Sequence, residues 1–337
     1  MRMTGRRWLA AFLIFAAGTL SGCKRTEAPA DPISRSAFLL NTFVTVTLYD
    51  SQDEAVLEGS LDLCRQYEEL LSTTIDTSEV SRINHRSPDE TAVTVSQETA
   101  ELIRKGLEYG ERTEGAFDIT IQPVSSLWDF TSGQAKLPDP ELLKEAAQKV
   151  DYRNVHVEGS QVILDSPDTA IDLGAIAKGY IADRIKDYLL GNGVNSATIN
   201  LGGNVLCVGS RPDGTPFKIG LQMPFADRNE TIAALNIDGL SVVTSGVYER
   251  HFELDGVNYH HLLNPEDGYP YQNGLLSVTI VSPLSVDGDA LSTSCFSLGL
   301  EKGMELAESM DGVYAYFITD DYEIHYSEGA SELISES

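Results

Sequence analysis

The last third of the chain constrains the fold more than any other part. Strand-length runs follow one another there, the middle four of them two or three residues apart: Phe217 to Leu221, Ile232 to Ile237, Ser241 to Ser245, Tyr248 to Leu254, Val257 to Leu263 and Leu276 to Val281. Asp255 and Gly256 separate the fourth run from the fifth, and such a pair suits a two-residue hairpin turn. Strands joined this closely pair antiparallel, because a parallel pair needs a crossover of about a dozen residues or more. Helical patterns interrupt these strands without alternating with them. The pattern therefore predicts an α+β fold and argues against a doubly wound parallel sheet.

The earlier part supplies the helices. Residues 37 to 49 alternate apolar and polar positions from Phe43 and read as one half-buried strand. Asp53 is placed to cap a helix carrying Leu57, Leu61, Cys64, Leu70 and Leu71, and Ser78 to Asn84 adds a helical turn. Ser96 caps another helix that ends near Gly110. Residues 113 to 130, TEGAFDITIQPVSSLWDF, read as a shaped loop, and Pro138 and Pro140 introduce the next helix. Two short strands flank Glu158 and Gly159, and a helix that opens in the 171 to 180 stretch ends at Gly191. Residues 197 to 208 form a strand interrupted by Gly202 and Gly203. Helices from Asp289 and from Lys302, then a hairpin around Asp320 and Asp321, complete the chain.

Residues 1–22 stand apart from the fold. Arg2, Arg6 and Arg7 precede an apolar run from Trp8 to Ala17, too short to span a bilayer, and Leu20, Ser21, Gly22 and Cys23 follow. This resembles a bacterial lipoprotein signal, which implies cleavage before Cys23 and acylation of its thiol, palmitate included. Residues 23–35 then read as lipidated cysteine and tether, and 36–337 as the domain. The expected location is the extracytoplasmic face of a bacterial membrane, held by the lipid anchor only.

Cys64, Cys207 and Cys295 remain, an odd number at wide spacing that describes neither a disulfide framework nor a zinc site. The formal charge of -27 argues against nucleic acid or an anionic membrane as a partner of the general surface. Any phosphate must sit in a local positive or metal-containing pocket.

Four stretches could form one. In IDLGAIAKGY, residues 171 to 180, Gly174 and Gly179 allow close backbone approach, Lys178 brings a compact charge, and a helix begins, which favours anions. In DGDALSTSCFSLGL, residues 287 to 300, Asp289 and Thr293 stand four apart and share a helix face. They read either as hard oxygen ligands for magnesium, with Asp287 behind them, or as a cap with a solvent-facing hydroxyl. In YHHLLNPEDGYP, residues 259 to 270, only one of His260 and His261 can face a given pocket, where it could act as a general base. TSGVYER at 244 to 250 and NLGGN at 200 to 204 read either as backbone donors to phosphate or flavin, or as tight turns.

Taken together and in order, these blocks resemble the ApbE family, the FAD:protein FMN transferases. SEVSRIN at 78 to 84, GAFDIT at 115 to 120, SSLWDF at 125 to 130, DLGAIAKGY at 172 to 180, HLLNPEDGYP at 261 to 270 and DALST at 289 to 293 carry the resemblance from about Ala37 onward, with NLGGN and TSGVYER. It implies a T-fold-related arrangement of largely antiparallel sheets with packed helices. It implies transfer of FMN from the substrate FAD to a threonine or serine of an acceptor flavoprotein in a membrane or extracytoplasmic electron-transfer system, with release of AMP and dependence on Mg2+.

On the matching positions, Asp289, Thr293 and the Ala175 carbonyl would hold magnesium. Leu40, Ala116, Phe117, Asp118, Asp172, Lys178, Thr244 and His261 would meet FAD, and His261 would assist deprotonation of the acceptor. A metal-dependent FAD pyrophosphatase and a non-catalytic FAD-binding lipoprotein are the other activities that such a site allows. The chain departs from the family pattern twice. Family members commonly carry Met-Gly-Thr where this chain has Leu40, Asn41 and Thr42, and an aromatic residue where it has Thr74.

Overall fold

The computed structural model describes residues 31–227 and 229–335. The expected signal segment and Cys23 lie outside the described residues. The chain opens with strands β1 (Ile33–Leu39) and β2 (Thr42–Leu48), helices α1 (Glu54–Leu71) and α2 (Glu79–Asn84), strand β3 (Ala92–Thr94) and helix α3 (Gln97–Arg112). Short helices α4 (Gln122–Ser125) and α5 (Pro140–Ala147), the hairpin β4 (Val155–Glu158) and β5 (Gln161–Leu164), and helix α6 (Ala177–Gly191) follow. Strands β6 (Ala197–Asn200) and β7 (Asn204–Val208) lead into β8 (Phe217–Gln222), β9 (Thr231–Ile237), β10 (Ser241–Gly246), β11 (His251–Leu254), β12 (Val257–His260) and β13 (Leu275–Ser282). Helix α7 (Ser285–Glu308) and strands β14 (Tyr314–Thr319) and β15 (Ile324–Tyr326) close the order.

The stretch expected as one strand from residue 37 is in fact a hairpin. Leu40 and Asn41 both take positive φ, 54° and 55°, and turn β1 back onto β2. A residue in that left-handed region is strained unless it is glycine or, to a lesser degree, asparagine. Asn41 thus answers the demand that a glycine would meet. The helix expected from Asp289 begins earlier, at Ser285, and the expected second helix is set off by a break at Gly299, with φ 79° and ψ 179°.

Eight strands form the main sheet in the order β1-β2-β6-β7-β10-β13-β14-β15, and every pairing in it is antiparallel. Alternation divides its side chains between two layers. Leu206, Val208, Val278, Ile280, Ala315 and Phe317 join the core shared with residues of α1, α6 and α7. Cys207, Val242, Val281 and Tyr316 face the other way, against Phe217, Leu221, Leu235 and Ile237 of the β8–β9 hairpin. A smaller aromatic cluster forms where Trp128 stacks on Phe130 at 5.3 Å and Tyr259 at 6.0 Å.

Candidate active site

The site lies where two helix starts cross. The first four amides of a helix have no partner within it and need one from outside. The peripheral helices find theirs locally: Asp53 caps α1, Ser78 caps α2, Ser96 caps α3 and Asp139 caps α5. Neither α6 nor α7 has such a cap. Each receives one from the other. Asp183, in the second turn of α6, accepts the amides of Ser285 and Val286 at the head of α7, one on each oxygen at 2.9 Å. Asp289, in the second turn of α7, accepts the Gly179 amide at 2.8 Å.

Gly179 is what allows the crossing. A Cβ there would stand 2.2 Å from the carbonyl oxygen of Ser285 and 2.7 Å from Cα of Val286. Its bareness serves the contact between helices, not the close approach to a ligand expected from the sequence. Gly179 is the third residue of α6, so its amide is one of those with no partner inside the helix, and Asp289 supplies the acceptor. Both aspartates are 5% exposed. Burial pushes the Asp289 carboxyl up, while the Lys178 charge and the amides of Gly179 and Lys178 pull it back. Burial likewise lifts Asp183 to about 6 against its two amides.

Thr293 stands one turn beyond Asp289 on α7. Its hydroxyl lies 3.2 Å from that of Ser245, which also meets Ser292 at 2.8 Å. Strand alternation turns the neighbouring Thr244 to the opposite face of the sheet, where it pairs with Thr279 at 2.8 Å. Ser245, missed in the sequence, is therefore the residue of that motif that touches Thr293. Asp287 is also displaced from expectation. Its carboxylate accepts the Tyr109 hydroxyl at 2.7 Å and pairs with Lys105 at 2.8 Å, so it fastens α7 to α3.

Asp289 and Thr293 share one face of α7, one turn apart, and Lys178 stands close enough for its charge to act on the Asp289 carboxyl. Hard oxygens of this kind fit magnesium, which keeps waters and ligand phosphates at its remaining positions. Among the described residues no three His, Cys, Asp or Glu side chains gather into a metal cage. A cation held by this single carboxylate would have to share its coordination with a ligand's own oxygens.

The two histidines separate as alternation requires. His260 is 2% exposed, donates from Nε2 to the Tyr271 carbonyl at 3.1 Å and meets Phe296 edge-on, so it belongs to the core. His261 sits just past the end of β12 with Nδ1 buried and unpartnered. Burial first, then the charges of Arg250, His260 and Lys178, lower its pKa to about 3. The ring is neutral at pH 7.

A strap of loops closes this side. Asn84 clamps Ile171 through both its amide and its carbonyl, at 2.7 and 2.8 Å. The Asp172 amide donates to the Ile119 carbonyl at 2.7 Å, and the Asp172 carboxylate accepts the Ser125 hydroxyl at 3.0 Å. The Tyr271 hydroxyl reaches the Ala116 carbonyl at 3.2 Å, and Trp128 donates to the Gly268 carbonyl at 2.9 Å. Blocks far apart in sequence converge by these bonds. Not every residue expected to meet FAD offers its side chain: Phe117 is buried against Tyr109, and Asp118 accepts the Thr120 amide and hydroxyl and the Tyr152 amide. Leu40 packs its side chain on the core and donates its amide to Glu68 at 2.8 Å.

Comparison with known proteins agrees with this arrangement. The model of the ApbE family matches residues 40–317. A FAD:protein FMN transferase of Klebsiella pneumoniae is 40% identical over 293 residues, 86% of this chain and 90% of that protein. One from Treponema pallidum is 34% identical over 316 residues, 88% of this chain and 87% of that protein. The crystal structure of the ApbE protein of Thermotoga maritima superposes with a TM-score of 0.82 at 31% identity, covering 91% of this chain and all (100%) of the other. The flavin transferase ApbE of Vibrio cholerae gives 0.81 at 26% identity, covering 90% and 100%. Fold and sequence alike place the chain among the flavin transferases. It belongs to the ApbE family, and the expected α+β fold is borne out.

Proposed function

We propose that the chain transfers FMN from FAD to a threonine or serine hydroxyl of an acceptor flavoprotein, with Mg2+ as its metal. A bond forms between the acceptor oxygen and the FMN phosphorus, the pyrophosphate bond breaks, the hydroxyl proton passes to a base and AMP leaves. The observation that supports this reading is the capping of the α6 start by Asp289, which holds that carboxylate at Gly179, within reach of the Lys178 charge and on the α7 face that also carries Thr293.

Bound there, Mg2+ would draw charge from the pyrophosphate oxygens and weaken the bond to AMP. Lys178 adds a point charge, and the amide end of α6 adds its dipole. Asp289 keeps one oxygen on Gly179, which fixes the direction of the other. Ser245 holds the Thr293 hydroxyl in place. Ala116 and Asp172 form the wall nearest Ser125 and Tyr271, where FAD would lie.

His261 is the proposed base. Neutral, with Nδ1 unpartnered, it can accept the acceptor proton. Negative phosphate beside it would raise its pKa from about 3 and improve it for that task. We further propose lipid anchoring through Cys23 on the extracytoplasmic side, which the leader and the start of β1 at Ile33, only ten residues later, support. Among the described residues no helix is long and apolar enough to cross a membrane.

The test incubates the full-length chain with FAD and Mg2+, with and without a threonine-bearing acceptor flavoprotein, and follows AMP together with covalent flavin fluorescence on a denaturing gel. Label on the acceptor and AMP in step are expected. AMP with free FMN and no label, across several acceptors, would replace transfer by hydrolysis. Asp289→Ala should lower AMP release by about 100-fold or more; unchanged release would remove Asp289 from the site.

A further inference from the structure

Asp183 touches neither the Ala175 carbonyl nor Thr293, yet it stands in a closed ring with the residues that flank them. Gly179 and Asp183 are four apart on α6, and Ser285 and Asp289 are four apart on α7, so each pair lies along one helix face. Asp183 bonds across to Ser285 and Val286, and Asp289 bonds back across to Gly179. The ring has no slack, because the Gly179 position leaves no room even for a Cβ against the Ser285 backbone. A second layer steadies the same corner: the Ser285 hydroxyl donates to Asn204 at 2.9 Å and accepts from Ser241 at 2.8 Å.

We infer that Asp183 is a positioning residue for the cation site: by pinning the first turn of α7 to α6, it sets where Asp289 and Thr293 stand relative to the Ala175 carbonyl and Lys178. The inference rests on the metal reading given above. Magnesium demands near-octahedral oxygens at short distances, so a small rotation of the α7 head costs affinity. Removing a partner that orients a metal ligand typically costs about 10- to 100-fold in metal affinity or activity. The aspartate is required as such, since its two oxygens accept two amides. An asparagine would accept one and point its own N–H groups at the other.

The experiment compares the full-length chain with Asp183→Asn in two ways. One is the Mg2+ concentration for half-maximal AMP release at saturating FAD; the other is amide hydrogen exchange without metal, read by mass spectrometry over residues 176–180 and 284–288. The variant should need about tenfold more Mg2+, with the FAD requirement changed less than about threefold, and should exchange faster at both helix heads. Exchange that speeds up only at Ser285 and Val286, or an Mg2+ requirement equal to the parent's, would reduce Asp183 to a local cap and overturn the inference.

Should Asp183→Asn fail to fold, Val286→Pro removes one of the two donated amides at a helix position that tolerates proline, and the same two outcomes decide. Ser96→Ala, which weakens a helix outside the ring, should leave the Mg2+ requirement unchanged. A parent chain whose turnover ignores Mg2+ would sink the metal reading itself, and the coupling of the two helix heads would then stand or fall by exchange alone.

Discussion

The peripheral helices and the α6–α7 pair solve the same problem in opposite ways. α1, α2, α3 and α5 are each capped by the residue just before them, so their ends are satisfied within a few residues of chain. α6 and α7 take their side-chain caps from each other, across 102 to 110 residues of sequence. A local cap can be lost at one end without moving anything else. A shared cap cannot, and the helix pair that shares caps is the pair that carries Lys178, Asp289 and Thr293. The contrast supports the proposed cation site: a buried carboxylate already held against a helix amide is fixed in place before any ligand binds.

Four measurements test this contrast. The largest effect is expected from Gly179→Ala, which sets a methyl against the Ser285 backbone, where no flexible side chain can yield. Overpacking of this kind should cost about 3 kcal/mol or more, read as a lower urea midpoint. An unchanged midpoint would mean that the helices part freely and the crossing is not tight.

Next comes the pH dependence of Asp183, whose carboxyl lies at about 6 in the fold and near 4 unfolded. Between those values the folded chain binds the extra proton, so ionisation opposes folding as pH rises. Measured against Asp183→Asn, the parent should lose about 2 kcal/mol of stability between pH 4 and pH 7, most of it before pH 6. A difference that is flat across that window would contradict the burial of this group.

A local cap should behave more modestly. Ser96→Ala removes the acceptor of the Thr99 amide and should cost about 1 kcal/mol of thermal stability, with FAD turnover unaltered. A loss of turnover would show that the periphery is not independent of the site. The smallest effect is expected at the hairpin tip, where Asn41→Gly relieves a left-handed φ of 55° but loosens the unfolded chain, leaving stability within about 0.5 kcal/mol of the parent. A larger loss would assign Asn41 a side-chain role that its backbone conformation does not explain.

Much of this molecule could be read in advance. Short-range physics marks the caps at Asp53 and Ser96, the turn at Asp255–Gly256, the hairpin at Glu158–Gly159 and the antiparallel character of the last third, because each depends on neighbours within a few residues. The i, i+4 spacing of Asp289 and Thr293 was legible for the same reason. The hairpin at Leu40 was hidden because its turn residues are not the usual ones, and a leucine at positive φ leaves no mark in an alternating pattern.

Only the tertiary structure decided the rest. Which face of β10 meets α7 selected Ser245 over Thr244 as the neighbour of Thr293, since alternation gives two faces but not their partners. Packing sent Asp287 to Lys105 and Tyr109, folded Phe117 and Asp118 inward, and made His260 a core residue while leaving a nitrogen of His261 unpartnered. The exchange of caps between α6 and α7 belongs here as well. A buried hydrogen bond between residues a hundred positions apart depends on how two helices cross, and the room for that crossing exists only where Gly179 meets Ser285.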